Sequence, residues 1–172
     1  MAASSSWDSS PGFLLWHATL RWQRSITAAL KPLGLTHVQF VLLASAWWLG
    51  KNAEPPSQRE LADHAGTDAM MTSQVVRTLE SKGLIDRTAD PADSRVKRLH
   101  VTQSGRTVAL RAIEEVEAAD RDYFRQVAHP DLLIPQLRSL ALPGTATRPQ
   151  PPGTPAGWRA EGHGRDSTSG GP

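Results

Sequence analysis

Apolar side chains recur every three to four residues over most of the segment between residues 12 and 142, a spacing that places them on one side of an α-helix. Residues that stop helices separate these stretches. Pro32 and Gly34 end the first, Gly66 ends the third, and Gly83 suits the left-handed turn that closes the fourth. The pattern predicts six helices, at about residues 13–30, 36–49, 57–65, 68–82, 102–127 and 131–142.

Hydroxyl and carboxylate side chains stand where four of these helices begin. Gln39 and Glu60 each follow a threonine or serine by three residues, which is the capping-box spacing in which the two side chains satisfy exposed backbone N–H groups. The predicted N-terminal caps are Thr36, Ser57, Asp68 and Thr102.

Two short stretches with β-strand character, 84–88 and 96–101, lie on either side of the turn-rich segment 89–94. They predict a β-hairpin directly after two short helices that are joined by a tight turn at Gly66. This order is typical of a winged helix-turn-helix, whose second helix has a size that fits the DNA major groove. The predicted fold is mostly α with a small β-hairpin wing. The alternative is an all-α domain in which the hairpin is only a surface turn.

The helical period divides the fourth helix into two faces. Thr72, Val75, Val76 and Leu79 point inward, and the opposite face is polar apart from Met70. A glutamine on that face pairs well with adenine, an arginine with guanine or phosphate, and Met70 with a thymine methyl group. Met70 belongs to the core instead if the helix is rotated by one step. The candidate DNA-binding residues of this helix are Asp68, Ala69, Met70, Ser73, Gln74 and Arg77.

The wing carries a local cluster of basic residues. Three of these residues, Arg95, Lys97 and Arg98, lie on the second strand or directly before it. Arg87 lies on the first strand. Phosphates or a narrow minor groove attract such side chains. The alternative for each charge is a solvated strand face.

Composition narrows the function without identifying it. The chain of 172 residues contains no cysteine, which excludes disulfides, thiol catalysis and thiolate metal sites. The formal net charge is only +2, and eight basic residues between 51 and 101 are balanced by eight acidic ones, so bulk charge does not argue for nucleic-acid binding. No metal or cofactor is predicted, because the histidines are scattered along the chain: His17, His37, His64, His100, His129 and His163.

The two ends of the chain are predicted to be disordered. Residues 1–10 are small and polar without the features of a signal peptide, and 143–172 are rich in proline and glycine. The longest apolar run, 40–49, is shorter than the roughly 20 residues that a bilayer span needs. A cytoplasmic protein without membrane contact is therefore expected, with one domain at 11–142.

Five stretches in the same order resemble the MarR family, the multiple-antibiotic-resistance regulators. They are LTHVQF at 35–40, QRELA at 58–62, LESKGLI at 79–85, DPADSR at 90–95 and LHVTQSG at 99–105. The resemblance covers residues 12 to about 142. It implies a homodimer that places paired recognition helices and wings on a pseudo-palindromic site in double-stranded DNA. It also implies that Asp93 steadies the wing tip while Arg95 reaches the groove.

The resemblance assigns dimerisation to 11–50 and 102–142, and the winged helix-turn-helix to 51–101. The pattern agrees independently, because the apolar faces of the first and fifth helices are wider than a small core covers. The alternative is that both faces are buried within one monomer. The predicted dimerisation residues are Phe13, Leu20, Ile113, Val116, Tyr123, Leu133 and Leu137.

The resemblance further implies an effector pocket between the dimerisation helices and the DNA-binding part. Aromatic rings and two imidazoles on the first two helices suit a small aromatic or phenolic, weakly acidic effector. The alternative for each ring is ordinary core packing. The candidate ligand-binding residues are Trp16, His17, Trp22, His37, Phe40 and Trp47, with Trp48 beside them.

The sequence therefore predicts a sequence-specific transcriptional regulator, a repressor that an effector releases, with no catalytic step. Two other classes stay open. One is an enzyme that uses a serine with a histidine, although no nucleophile-elbow, metal or phosphate-loop motif is present. The other is a helical interaction protein of the same fold that has lost specific DNA binding, which the balanced charge of 51–101 favours.

Overall fold

The computed structural model of the chain describes residues 9–51 and 53–141. The chain divides into two compact units, Met1–Ala128 and His129–Pro172. The tail predicted to be disordered lies outside the described residues, and so does the predicted N-terminal segment apart from Ser9 and Ser10, which directly precede the first helix.

The fold is mostly helical with one antiparallel hairpin, as predicted. Among the described residues, the first unit contains five α-helices and two strands, and the second contains α6 (Pro130–Ala141). A short 3-10 turn, Lys31–Leu33, follows α1. The elements of the first unit are α1 (Pro11–Leu30), α2 (His37–Lys51), α3 (Gln58–Ala65), α4 (Ala69–Ser81), β1 (Ile85–Ala89), β2 (Lys97–Val101) and α5 (Gln103–Phe124).

The predicted caps begin the helices that position the winged helix-turn-helix. The Ser57 hydroxyl accepts the Glu60 backbone N–H at 3.2 Å, and the Glu60 carboxylate accepts the Ser57 N–H at 2.7 Å. The Asp68 carboxylate accepts the Met71 N–H at 2.8 Å at the start of α4. Gly83 closes α4 with a φ of 66°, which a residue without a Cβ adopts easily. These local signals fix the ends of α3 and α4 to within a residue of the prediction.

The core lies between the five helices α1 to α5 and the base of the hairpin. Its largest side chains are Ile26, Leu30, Leu42, Leu43, Leu61, Leu79, Ile85 and Leu99. Helix α5 adds Ala109, Ala112 and Val116, so the chain itself covers part of the α5 face that the sequence assigned to a partner. Val116, a predicted dimerisation residue, is thus a core residue here.

Besides pairing with each other, the two strands of the hairpin have a neighbouring segment, the loop before α3, which the sequence did not predict. The strands pair from Ile85 with Val101 to Ala89 with Lys97, and each strand begins one residue later than expected. The loop before α3 then pairs with the outer edge of β2, because the Leu99 N–H donates to the Pro56 carbonyl at 2.9 Å. The wing is therefore joined to the loop that leads into the helix-turn-helix.

The start of α5 is locked onto the end of α4. The Thr102 and Ser104 hydroxyls both donate to the Gly83 carbonyl, at 2.7 and 2.9 Å. Gly105 packs so close to this junction that a Cβ there would collide with the Leu84 carbonyl. Helix α4 and the long helix α5 that follows the wing are thus tied together at one point.

Within the described residues no single helix combines the length and apolar content needed to cross a membrane. Pro11–Leu33 and His37–Lys51 reach those values only as a pair, and a 72° bend separates the two.

Candidate nucleic-acid interface

Helix α4 presents the two faces that its sequence predicts. Thr72, Val76 and Leu79 are buried, whereas Met70 is 83% exposed, which confirms the predicted rotation of the helix. On the outer face, the side chains of three polar residues make no hydrogen bond or ion pair with another described residue. These residues are Ser73, Gln74 and Arg77. Their polar groups are therefore available to an external partner.

The turn before α4 is held by hydroxyl groups. The Thr72 hydroxyl donates to the Asp68 carbonyl at 2.8 Å and lies 2.8 Å from the Thr67 hydroxyl. Thr72 is fully buried, so these bonds satisfy a polar group inside the core. These hydrogen bonds therefore hold the start of α4 in place, with the outer face of the helix exposed.

The basic cluster of the wing separates into two pairs. Arg87 contacts Glu80 at 2.5 Å and Arg98 contacts Asp90 at 2.5 Å, so both of these charges are engaged within the chain. Arg95, in contrast, is 92% exposed, and its Nε lies 3.7 Å from the Asp93 carboxylate. Lys97 is exposed and has no ion pair with any residue of 9–51 or 53–141. Arg95 and Lys97 are the cations that the wing offers to an anionic surface.

Two aspartates order the wing tip. The Asp93 carboxylate accepts the Arg95 backbone N–H at 3.0 Å. The Asp90 carboxylate accepts the N–H groups of Ala92 at 2.7 Å and Asp93 at 3.2 Å, a role that the sequence prediction missed. The Arg98 guanidinium, followed by these two N–H groups, holds the pKa of Asp90 below its ordinary value. An aspartate before proline at the start of a turn was the available signal for this role.

Two adjoining cavities form a cleft along α1 and α2. A cavity of about 390 Å³ lies between α1, α2 and the end of α3, and an adjoining one of about 300 Å³ shares Thr27 and His37 with it. The first is lined further by Gln23, Val38, Val41, Ala65 and Thr67. The second is lined further by Lys31, Gly34, Leu35, Thr36, Gln39 and Lys82.

Of the predicted ligand-binding residues, only His37 lines this cleft. The Trp22 indole N–H donates to Asp120 at 2.6 Å, and its ring meets the His37 ring edge-on at 5.1 Å. Phe40 and Trp47 pack against the core, and the exposed Trp16 and His17 lie near the start of α1. Burial lowers the pKa of His37, and the Asp120 carboxylate partly offsets this effect.

The polar lining of the cleft escaped sequence analysis. Gln23, Thr27 and Lys31 look like ordinary solvent-facing positions of an amphipathic helix, and Lys82 lies far away along the chain. The packing of both α1 and α4 against α2 brings them together.

The remaining predicted dimerisation residues fall into two groups. Phe13 and Leu137 are exposed, whereas Leu20, Ile113, Tyr123 and Leu133 are partly buried. The Tyr123 hydroxyl donates to the Ala18 carbonyl at 2.8 Å, which fastens α5 to α1 within the chain. Further large apolar residues are exposed near the start of α1 and along α6: Leu14, Leu15, Trp16, Leu132, Ile134 and Leu140.

Comparison with known proteins gives consistent matches. The sequence profile of the MarR family matches residues 35–97. Over 133 residues the chain is 41% identical to the uncharacterized HTH-type transcriptional regulator YdcH of Bacillus subtilis (strain 168), covering 77% of this chain and 90% of YdcH.

Among solved structures, CouR of Rhodococcus jostii RHA1 bound to p-coumaroyl-CoA has a TM-score of 0.71 and 30% identity, covering 83% of this chain and 99% of CouR. The transcriptional repressor CouR bound to a 23-mer DNA duplex has a TM-score of 0.68 and 27% identity, covering 82% and 96% of the two chains.

Proposed function

Because the chain belongs to the MarR family of transcriptional regulators, we propose that it acts in the cytoplasm as a homodimeric repressor that a small aromatic acid releases from a pseudo-palindromic operator. It has no catalytic step in this proposal. The similar protein CouR is a transcriptional repressor, with solved structures bound to p-coumaroyl-CoA and to a 23-mer DNA duplex.

The outer face of α4 is the observation that carries the DNA-binding role. Its polar side chains have no partner among the described residues, while caps and core contacts hold the helix in place. Preorganised, unpaired donors and acceptors are what direct reading of base edges requires. The proposed contacts are Ala69, Met70, Ser73, Gln74 and Arg77 on α4, with Asp68 at its start, and Asp93, Arg95 and Lys97 in the wing.

Selection of bound duplexes from a random DNA pool tests this function. We expect enrichment of an inverted repeat whose half-sites are about one helical turn apart, since two symmetric recognition helices must reach one face of the duplex. Retention of DNA without enrichment would favour the interaction protein of the same fold. Absence of retention at moderate salt would contradict the proposal.

Replacement of Arg95 by alanine should weaken binding to every duplex. A cation that contacts phosphate releases counterions, so its loss in both protomers should make the dependence of log affinity on log salt shallower by about two units. Affinity near 0.1 M salt should fall by about ten- to fiftyfold. A salt titration of fluorescence anisotropy on operator and scrambled duplexes measures both quantities.

Arg111→Ala is the matched control, because Arg111 is exposed on α5, outside α4 and the wing. It should leave affinity and slope close to those of the parent. If Arg95→Ala behaves like this control, the wing does not contact DNA.

The cleft between α1 and α2 is the proposed effector site. Val38, Val41 and Ala65 supply apolar walls, and Lys31 and Lys82 supply positive charge at the adjoining end, where no carboxylate lines the cavity. An aromatic ring with an acidic end matches this division. His37 lies between the two parts, and its lowered pKa keeps the imidazole neutral at pH 7 as a hydrogen-bonding group.

Lys82 connects this cleft to α4, the helix proposed to contact DNA. It directly follows α4, and its ammonium donates to the Gly34 carbonyl at 2.6 Å and to the Gln39 side chain at 2.9 Å. An anion bound at this end of the cleft competes for the same ammonium. Binding would therefore disturb the contact that holds the end of α4 against the turn between α1 and α2.

Lys31→Met should make the repressor less sensitive to an aromatic acid. We expect the p-coumarate concentration that releases half of the operator to rise by about three- to tenfold, because one charge-assisted contact is lost. The control variant is Lys51→Met, since Lys51 lies on α2 over the Trp47 ring and does not line the cleft. Methyl p-coumarate lacks the anionic end. It should release the parent from the operator only weakly, and the variants should need nearly the same concentration of it as the parent. Equal responses of all three proteins to p-coumarate would place the effector elsewhere.

A further inference from the structure

Arg98 on β2 is surrounded by acceptors from within the chain. Its Nε lies 2.5 Å from the Asp90 carboxylate, and its Nη1 lies 3.3 Å from both the Pro55 carbonyl and the Glu60 carboxylate. Its Nη2 is 3.9 Å from the Glu54 carboxylate. Only 23% of the side chain is exposed, in contrast to the open Arg95 three residues earlier.

These acceptors belong to separate parts of the DNA-binding unit. Asp90 begins the wing tip and bonds two of its backbone N–H groups. Glu60 closes the capping box at the start of α3, where it also accepts the Ser57 N–H. Pro55 lies in the loop that pairs with β2. One planar guanidinium therefore connects the wing tip, the start of the helix-turn-helix and the loop between α2 and α3.

The charges around Arg98 argue against a contact with DNA. Three carboxylates face this single guanidinium, so the cluster as a whole is negative and repels phosphate. A phosphate that recruited Arg98 would have to displace short bonds to Asp90 and leave a largely buried carboxylate without its partner. The basic character of the wing is thus provided by Arg95 and Lys97.

We propose that Arg98 is a positioning residue for DNA binding: it fixes the wing against the start of α3, so that Arg95 and Lys97 meet the duplex in register with α4. The proposal rests on the DNA-binding function proposed above. Arginine suits this role because its rigid fork of donors satisfies several acceptors at once, whereas a lysine ammonium has no such geometry. The pKa of Asp90 is held low chiefly by Arg98, so this carboxylate stays charged throughout the neutral range.

Asp90→Asn separates positioning from simple electrostatics. The change removes a negative charge from the DNA-binding unit and keeps every cation, so long-range electrostatics alone predicts tighter binding to all duplexes. Loss of the Arg98 anchor predicts the opposite, a fall in operator affinity of about tenfold. Fluorescence anisotropy on the selected operator gives the sign of the change.

Arg98→Gln and Arg98→Lys complete the experiment, with Lys97→Gln as the neighbouring control. Arg98→Gln should lower affinity by about tenfold and leave the salt slope unchanged, whereas Lys97→Gln should make the slope shallower. Arg98→Lys should recover part of the loss, and Arg98→Gln combined with Asp90→Asn should be no worse than either change alone. Thermal unfolding identifies any variant that does not fold, and Asp90→Asn, which preserves side-chain volume, then carries the test.

Three results would overturn the inference. The first is an operator affinity of Asp90→Asn that equals or exceeds the affinity of the parent. The second is a double variant whose loss of affinity is the sum of the two single losses. The third is a salt slope that Arg98→Gln makes shallower by about two units, which would make Arg98 a phosphate contact. A parent protein that binds no duplex would instead refute the proposed function, and this inference with it.

Discussion

Leu137→Asp should convert the proposed dimer into folded monomers and weaken operator binding by about 10²- to 10⁴-fold. Two linked recognition helices bind the second half-site at a high effective concentration, and a monomer loses that advantage. Leu137 is 38% exposed on α6, a helix that contributes no buried side chain within its own chain. A row of exposed apolar residues on such a helix points to a surface that another molecule covers.

The structure decides which variant tests the dimer cleanly. Val116 lies in the core, and Tyr123 bonds the Ala18 carbonyl, so a charge at either position would damage the protomer itself. Leu137 avoids this ambiguity because none of the residues of α6 is buried. The monomers should therefore keep the helical content and the unfolding temperature of a folded protein.

Light scattering at micromolar concentration measures the oligomeric state, and anisotropy measures the affinity for operator. Trp48→Asp is the matched control, because Trp48 is a large apolar residue with 57% exposure on α2 and is not among the predicted dimerisation residues. It should remain dimeric. A dimeric Leu137→Asp protein with unchanged affinity would remove α6 from the interface, and a monomeric parent would contradict the dimer altogether.

The helices of the winged helix-turn-helix were predictable because their ends depend on local chemistry. The Ser57 and Glu60 pair, the Asp68 cap and Gly83 each act within three or four residues, which a sequence displays directly. The outer face of α4 followed from the helical period, since one side had to pack against the core.

The roles of the wing arginines were not predictable in the same way. The sequence does not distinguish Arg87, Arg95 and Arg98 from one another. The ion pairs that each forms depend on carboxylates that the fold brings close. Glu60 is 38 residues from Arg98 along the chain, and its capping role gave no hint of a second contact. Long-range ion pairs of this kind carry no periodic signal.

The cleft proposed as the effector site shows a related limit. The sequence analysis named aromatic residues on α1 and α2 as candidates for ligand contact. In the structure, Phe40 and Trp47 pack against the core, and the Trp22 indole N–H donates to Asp120. The cleft is instead lined by small polar side chains, lysines and a few aliphatic residues, whose common location depends on how α1 packs on α2. Residue type alone therefore did not predict which residues line this cleft.

Gln74→Ala should reduce the discrimination between operator and scrambled DNA and leave the salt dependence unchanged. The Gln74 amide is uncharged and has no partner among the described residues, so its contribution must come from directed hydrogen bonds to DNA. A bidentate contact with adenine is worth about 1 to 3 kcal/mol for each half-site, and the symmetric dimer makes two. Affinity for the operator should fall while affinity for scrambled duplex stays nearly constant, because non-specific binding depends on phosphate charge.

The substitution isolates this contact well. Alanine favours helix at least as much as glutamine, so α4 is not weakened, and Gln74 is exposed, so no cavity forms in the core. Gln103→Ala, which removes an exposed glutamine at the start of α5, is the control and should behave as the parent. The measurement is a salt titration of each protein on both duplexes, with circular dichroism to confirm folding. Equal losses on operator and scrambled DNA would mean that Gln74 touches the backbone, and no loss on either would remove it from the interface.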